Sequence, residues 1–148
     1  MTSVARAGRY RCGKENSVSA EADVRDVITR WVDGIKARDV EAVVAAHADD
    51  FVQFDVPPPY DGVRGVPAYR ETWPPFFEFL RGGAVFELGE LIIVAGEDVG
   101  FAYGLAKCGR AEDFAKNPDI RLRMTVGLRK VDGEWLIVHE HHSFPMTG

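Results

Sequence analysis

Three of the chain's four histidines fall inside "HEHHS", residues 139–143. In an extended strand His139, His141 and Ser143 share a face with Trp135 and Ile137, while Glu140, His142 and Phe144 share the other with Leu136 and Val138. Imidazoles change charge near neutrality, so such a pair can shuttle protons or hold a ligand carbonyl. The second candidate is Asp55, which ends the apolar run of "FVQFDVPPP". A carboxylate there, just before a rigid proline turn, suits a general base. The plain alternatives are a turn-capping aspartate and a polar strand end whose imidazoles bond to neighbouring backbone. His139 and His141 at i and i+2, with Asp55 as a third ligand, would also suit Zn²⁺. No cysteine or fourth histidine lies in a plausible place to join them, and His47 is expected on a helix as a surface or packing residue. We expect no metal.

The elements that position these groups follow from hydrophobic spacing. Val24, Val27, Ile28, Trp31 and Ile35 keep helical rhythm, and Asp39 reads as the N-cap of a second, shorter helix. "ADDFVQFDV" changes period, with Phe51, Gln53 and Asp55 on one side of a strand and Val52, Phe54 and Val56 on the other. "PPPYDG" ends that strand. A third helix starts near Pro67 and runs through Tyr69 and Trp73, and the "PP" at 74–75 is expected to break or kink it. From Ala84 onward the pattern is β. Residues 84–95 and 98–108 alternate around "AGED", a polar connection covers 109–119, and two further strands flank "VDGE", where Asp132-Gly133 is a hairpin signal. Helices first and then a meander of long strands indicates an α+β domain, a sheet curled around helices with room for a pocket.

The 148 residues fit one domain over 19–148, preceded by a loose polar leader over 1–18. The chain is 46% hydrophobic and carries a net charge of −5, which argues against phosphate-backbone partners. Nucleic acid and membrane are therefore set aside, since "LIIVAG" is far too short to span a bilayer. Cys12 and Cys108 form no CxxC pair, so a reduced, cytoplasmic setting is the default. There is no nucleophile elbow, P-loop or dinucleotide fingerprint, and no cofactor is expected.

"ITRWVDGIKARDVEAVVAAHADDFVQFDVP", "GVPAYRETW" and "VGLRKVDGEWLIVHEHHS", in that order, resemble the SnoaL-like and ketosteroid-isomerase-like branch of the nuclear transport factor 2-like superfamily. The resemblance covers residues 20–145. It implies a conical, barrel-like α+β fold in which a curved antiparallel sheet wraps N-terminal helices around an internal pocket, commonly dimeric through the sheet. Counting from "ADD", the proton-moving aspartate of ketosteroid isomerases corresponds to Asp55. Their helix tyrosine corresponds to Trp31, and their oxyanion aspartate falls near Val126, where no acid stands. A gapless match of the last strand turns His139, His141 and Ser143 toward the pocket and leaves His142 interfacial or exposed. The resemblance thus implies a cofactor-independent isomerase, cyclase or hydrolase acting on a hydrophobic carbonyl compound, polyketide- or steroid-like. Asp55, His139 and His141 would be catalytic, with Trp31, Tyr60, Trp73, Phe77 and Ser143 around the ligand and Tyr60 as a lid or hydroxyl donor. The alternative is a non-catalytic binding or dimerisation module. An exposed sheet face bearing Arg123, Arg129 and Glu140 is expected to form a homodimer.

Overall fold

The computed structural model describes residues 2–147, with side chains from Val18 onward. Helix α1 spans Thr2–Ala37. The leader expected over 1–18 falls within that span, on residues whose side chains, up to 17, lie outside those described. From Val24 the expected stripe is realised, with Val24, Val27, Ile28, Trp31 and Ile35 all buried. Asp39 caps α2 (Val40–Val44), accepting from the backbone N–H groups of Glu41 and Ala42. This caps two of the donors that a helix start leaves without partners. No helix among the described residues is long and apolar enough to cross a membrane.

Strand β1 (His47–Phe54) begins earlier than its pattern suggests and takes in His47. After the short β2 (Val63–Arg64) comes α3, Val66–Arg81, which runs straight through Pro74 and Pro75. The expected break does not occur. Both prolines face solvent while Trp73 and Phe77, one turn apart, are buried. The missing N–H donors therefore strand carbonyls on the wet side of the helix, where water can serve them, and packing holds the dry side. Strands β3 (Val85–Ala95), β4 (Val99–Gly109), β5 (Leu122–Val131) and β6 (Glu134–Ser143) form the meander, with the six-residue helix α4 (Ala111–Lys116) inside the connection expected to be irregular.

The six strands among the described residues make one curved sheet in the order β2-β1-β6-β5-β4-β3, antiparallel except where β1 runs parallel to β6. Its concave face packs on α1 and α3. One cross-strand row, Ile93–Ala102–Val126–Glu140–Gln53, is buried from end to end. The next row outward on the other face, Ile92–Tyr103–Thr125–His141–Phe54, is exposed.

The last strand is not regular. Gly127 of β5 pairs with His139, but the neighbouring Leu128 pairs with Ile137, so Val138 is an extra residue. Such a bulge reverses the inside–outside alternation beyond it. Trp135 and Ile137 face the core, as expected, and then Glu140 and His142 face it in place of His139 and His141.

Gly62 supports the turn after β1, with φ +93° and a Cβ position that would lie 2.7 Å from the Gln53 carbonyl oxygen. Gly83 has φ +107° but open space around it. Urea unfolding should separate the two effects. Gly83→Ala carries only left-handed strain, roughly 1 kcal/mol, whereas Gly62→Ala adds a backbone clash and should cost about 2–4 kcal/mol.

Candidate functional site

Between the concave sheet face, α3 and α4 lies a cavity of about 890 Å³. Trp31, Trp73, Phe76, Phe79 and Phe86 give it aromatic walls, and Asp55, Gln53 and His142 bring polar groups to its β1–β6 side. Asp55 and His142 meet because Gln53 and Phe54 pair in register with Glu140 and His141, which sets the next residues of both strands side by side. Asp55 Oδ1 lies 3.6 Å from His142 Nδ1. The same oxygen accepts the Val56 backbone N–H at 2.7 Å, so the turn-capping role open from the sequence is also present.

Behind His142 lies Glu140, which is wholly inaccessible to solvent. Its Oε1 is 3.1 Å from His142 Nε2, an ion-pair distance, although the two are not aligned as a hydrogen bond. Its Oε2 accepts the Tyr69 hydroxyl at 3.0 Å and lies 2.7 Å from His47 Nε2. Tyr69 OH in turn accepts the Trp31 indole N–H at 3.0 Å. One carboxylate thus gathers groups from β1, α3 and β6, with α1 one hydrogen bond further back.

The electrostatics follow from these contacts. Burial by itself would raise the Glu140 pKa. His142 and then His47 outweigh it and hold the carboxyl at about 2. Burial would likewise strip His142 of its proton, but Asp55 and Glu140 flank both ring nitrogens and raise its pKa to about 9. Tyr69 is pushed well above its ordinary range by burial and then by the Glu140 charge, so it remains a neutral donor. Cys108, also on the cavity wall, is raised to about 11 by burial and by the charges of Asp55 and Asp113, so it is a thiol and not a thiolate. At neutral pH the site therefore presents a buried cation, His142, facing the cavity between two carboxylate positions.

Several expectations are corrected by this geometry. His139 and His141 do not reach the cavity. His139 is half-buried with Nδ1 2.7 Å from the Val52 carbonyl oxygen, and His141 is exposed beside Tyr103 and Thr125 on the outer face. Neither can share a metal with the inward Asp55, and among the described residues no group of three histidine, cysteine, aspartate or glutamate side chains could hold a metal ion. Ser143 is also on the outer side, where its Oγ accepts from Arg123. His142, expected interfacial or exposed, is the inward histidine. Glu140, expected on the exposed sheet face, is buried, and His47 belongs to β1 and not to a helix. Tyr60 is fully exposed and does not line the cavity. Phe77 is core, tilted against Trp73 with ring centroids 5.7 Å apart, and lies behind the wall. Asp55, Trp31 and Trp73 do line the cavity, although the Trp31 N–H is spent on Tyr69.

The Glu140–His142 pair gives a defined pH dependence of stability. Glu140 is depressed on folding, so its contribution is complete above about pH 4.5 and is lost as pH falls toward 2. His142 is raised, so its contribution is complete below about pH 6.5 and is lost as pH rises through 9. Denaturant midpoints should therefore plateau between about pH 4.5 and 6.5 and fall on both sides. Glu140→Gln should lower stability by about 3–5 kcal/mol near pH 6 and flatten the alkaline limb, because it strands a buried cation. An unchanged alkaline limb would mean that His142 does not depend on Glu140.

Against known proteins, the model of the SnoaL-like domain matches residues 24–147. An NTF2-like protein of unknown function from Pseudomonas putida KT2440 is 34% identical, covering 88% of this chain and 90% of its own, with a TM-score of 0.77. Two more distant structures share the fold. One is a candidate scytalone dehydratase from Novosphingobium aromaticivorans, at 18% identity over 91% of this chain and 90% of its own, TM-score 0.67. The other is a candidate ketosteroid isomerase from Shewanella frigidimarina, at 19% over 80% and 92%, TM-score 0.65. No curated protein matches the chain. The α+β fold, the curved sheet and the match over residues 24–147 agree, and the chain belongs to the SnoaL-like domain family.

Proposed function

We propose that the protein is a cofactor-independent acid–base enzyme acting on a hydrophobic, carbonyl-bearing small molecule bound in the aromatic cavity. The observation that carries this reading is the Asp55–His142 pair on the cavity wall, backed by the buried Glu140. A ligand oxygen can replace the loose 3.6 Å contact between Asp55 and His142 Nδ1. The imidazolium N–H then stabilises the negative charge that develops on that oxygen. The Asp55 carboxylate takes the proton from the adjacent carbon. Return of that proton to another carbon is isomerisation, loss of a β-hydroxyl is dehydration, and attack on a second carbonyl is cyclisation. Fold relatives named as candidate isomerase and dehydratase are consistent with either of the first two.

Glu140, held in place by Tyr69 and His47, keeps His142 cationic and oriented without touching the ligand. A cavity of this size suits a bicyclic or larger molecule. A non-catalytic binding module is favoured by one feature, the Asp55 oxygen already bonded to Val56. In that case the cavity would bind ligands and Asp55 would only shape the turn.

Hydrogen–deuterium exchange at the α-carbon of flat bicyclic ketones in D₂O, followed by proton NMR, separates the two readings. Wild type should accelerate exchange, and Asp55→Asn or His142→Gln should each reduce it by roughly 10²–10⁴-fold with ligand binding retained. Binding with no exchange in wild type would favour the binding module.

We further propose a homodimer through the outer sheet face. Val94, Phe101, Tyr103 and Leu105 form an exposed apolar stripe, with Glu87 and Glu90 on one flank and Arg123 and Arg129 on the other. A two-fold axis through that stripe would lay each acidic flank over the partner's basic one. Light scattering at tens of micromolar should give twice the 16.4 kDa chain mass. Tyr103→Glu should give the monomer, and a monomeric wild type would refute the proposal.

A further inference from the structure

The cavity wall carries a polar group that the acid–base chemistry does not use. Gln53 sits two residues before Asp55 on the same side of β1, so the two project from adjacent positions of one strand face. Its side chain lines the cavity, is 2% exposed, and its carboxamide oxygen has no hydrogen-bond partner. The Trp31 indole nitrogen, by contrast, is bonded to Tyr69 and the Thr72 hydroxyl to the Tyr69 carbonyl. A buried amide oxygen without a donor is costly to the folded chain, and native interiors leave few of them. A methionine or leucine would fill the same space without that cost. The burial of an amide oxygen with no donor on the cavity wall is accounted for if a ligand brings the missing donor.

We infer that Gln53 is a specificity-determining residue that accepts a hydrogen bond from a second polar substituent of the ligand, a hydroxyl held at a fixed distance from the reacting carbonyl. This rests on the cavity being the ligand site. The ligand class becomes a flat, hydroxylated cyclic ketone and not a plain hydrocarbon-like ketone. A hydroxyl can donate to the Gln53 oxygen, whereas a methoxy group in the same place can only accept. A site built around such an acceptor rejects analogues without the donor, because the buried oxygen then stays unpaired.

The test uses 1-tetralone, its ring-hydroxylated isomers and their methyl ethers as probes. Binding is followed by quenching of tryptophan fluorescence, since Trp31 and Trp73 line the cavity. In wild type at least one hydroxylated isomer should bind roughly tenfold tighter than both 1-tetralone and the matching methyl ether. In Gln53→Met, which keeps the length of the side chain and removes its polar end, that preference should disappear. Equal binding of hydroxylated, plain and methoxy probes by wild type would overturn the inference and leave the cavity reading intact. So would a preference that survives Gln53→Met. Failure of every probe to bind would overturn the cavity reading as well. Absence of the preference in wild type overturns the inference whether or not Gln53→Met folds, and Gln53→Leu carries the second arm if it does not.

Discussion

The burial of the Glu140 charge is the constraint on which the interior is organised. A carboxylate with no access to water is tolerable only when donors and positive charge surround it. Tyr69, His47 and His142 provide them from three different elements, and Trp31 completes the Tyr69 hydroxyl from a fourth. The helices and the sheet therefore meet around a polar knot as well as an apolar core. An apolar residue at position 140 could pack the same space, since buried ion pairs seldom out-stabilise well-packed hydrocarbon. What such a residue would lose is the fixed orientation and charge of the His142 ring, and this ties the packing to the chemistry.

The cavity beside that knot divides sharply into two kinds of surface. Aromatic rings from α1, α3 and β3 wall most of it, packed edge to face at Trp31–Trp73 and Trp31–Phe86. Polar groups come from the ends of β1 and β6, where the parallel pairing of the two strands brings Asp55 and His142 level. The strand ends carry the polar groups, and the helices carry most of the hydrophobic wall. A ligand can thus be gripped broadly by the wall while only one of its edges meets charge.

Much of the fold was legible in the sequence because it rests on local periodicity. The α1 stripe, the Asp39 cap, the inward set Phe51, Gln53 and Asp55 and the strands of the meander all follow from spacing alone. The continuity of α3 did not, because a proline pair breaks a helix only where the lost bonds are dry, and sidedness at Pro74 and Pro75 depends on tertiary packing. The site was half legible. Asp55 could be found from its apolar strand and proline turn. Glu140, His47 and Tyr69 could not, since they come from three elements and no single stretch of sequence shows that they converge. His142 was assigned to the wrong face because strict alternation was carried through Val138, and neither Ile137 nor Val138 signals a bulge. A glutamate within an otherwise apolar and histidine-rich strand was the available hint.

That single extra residue in β6 has a consequence for how such chains diverge. Ahead of it the strand is committed to the core by Trp135 and Ile137, and behind it every side chain has its address set by whether the count is odd or even. Loss or gain of one codon there would exchange the wet and dry histidines together, with no other change in composition. The alternation of histidines and glutamate in this stretch means that either phase would still turn an imidazole toward the ligand. Two descendants of one ancestor could therefore keep the same letters and run their chemistry from different ones, and column-by-column matching of their last strands would pair residues that occupy opposite surfaces.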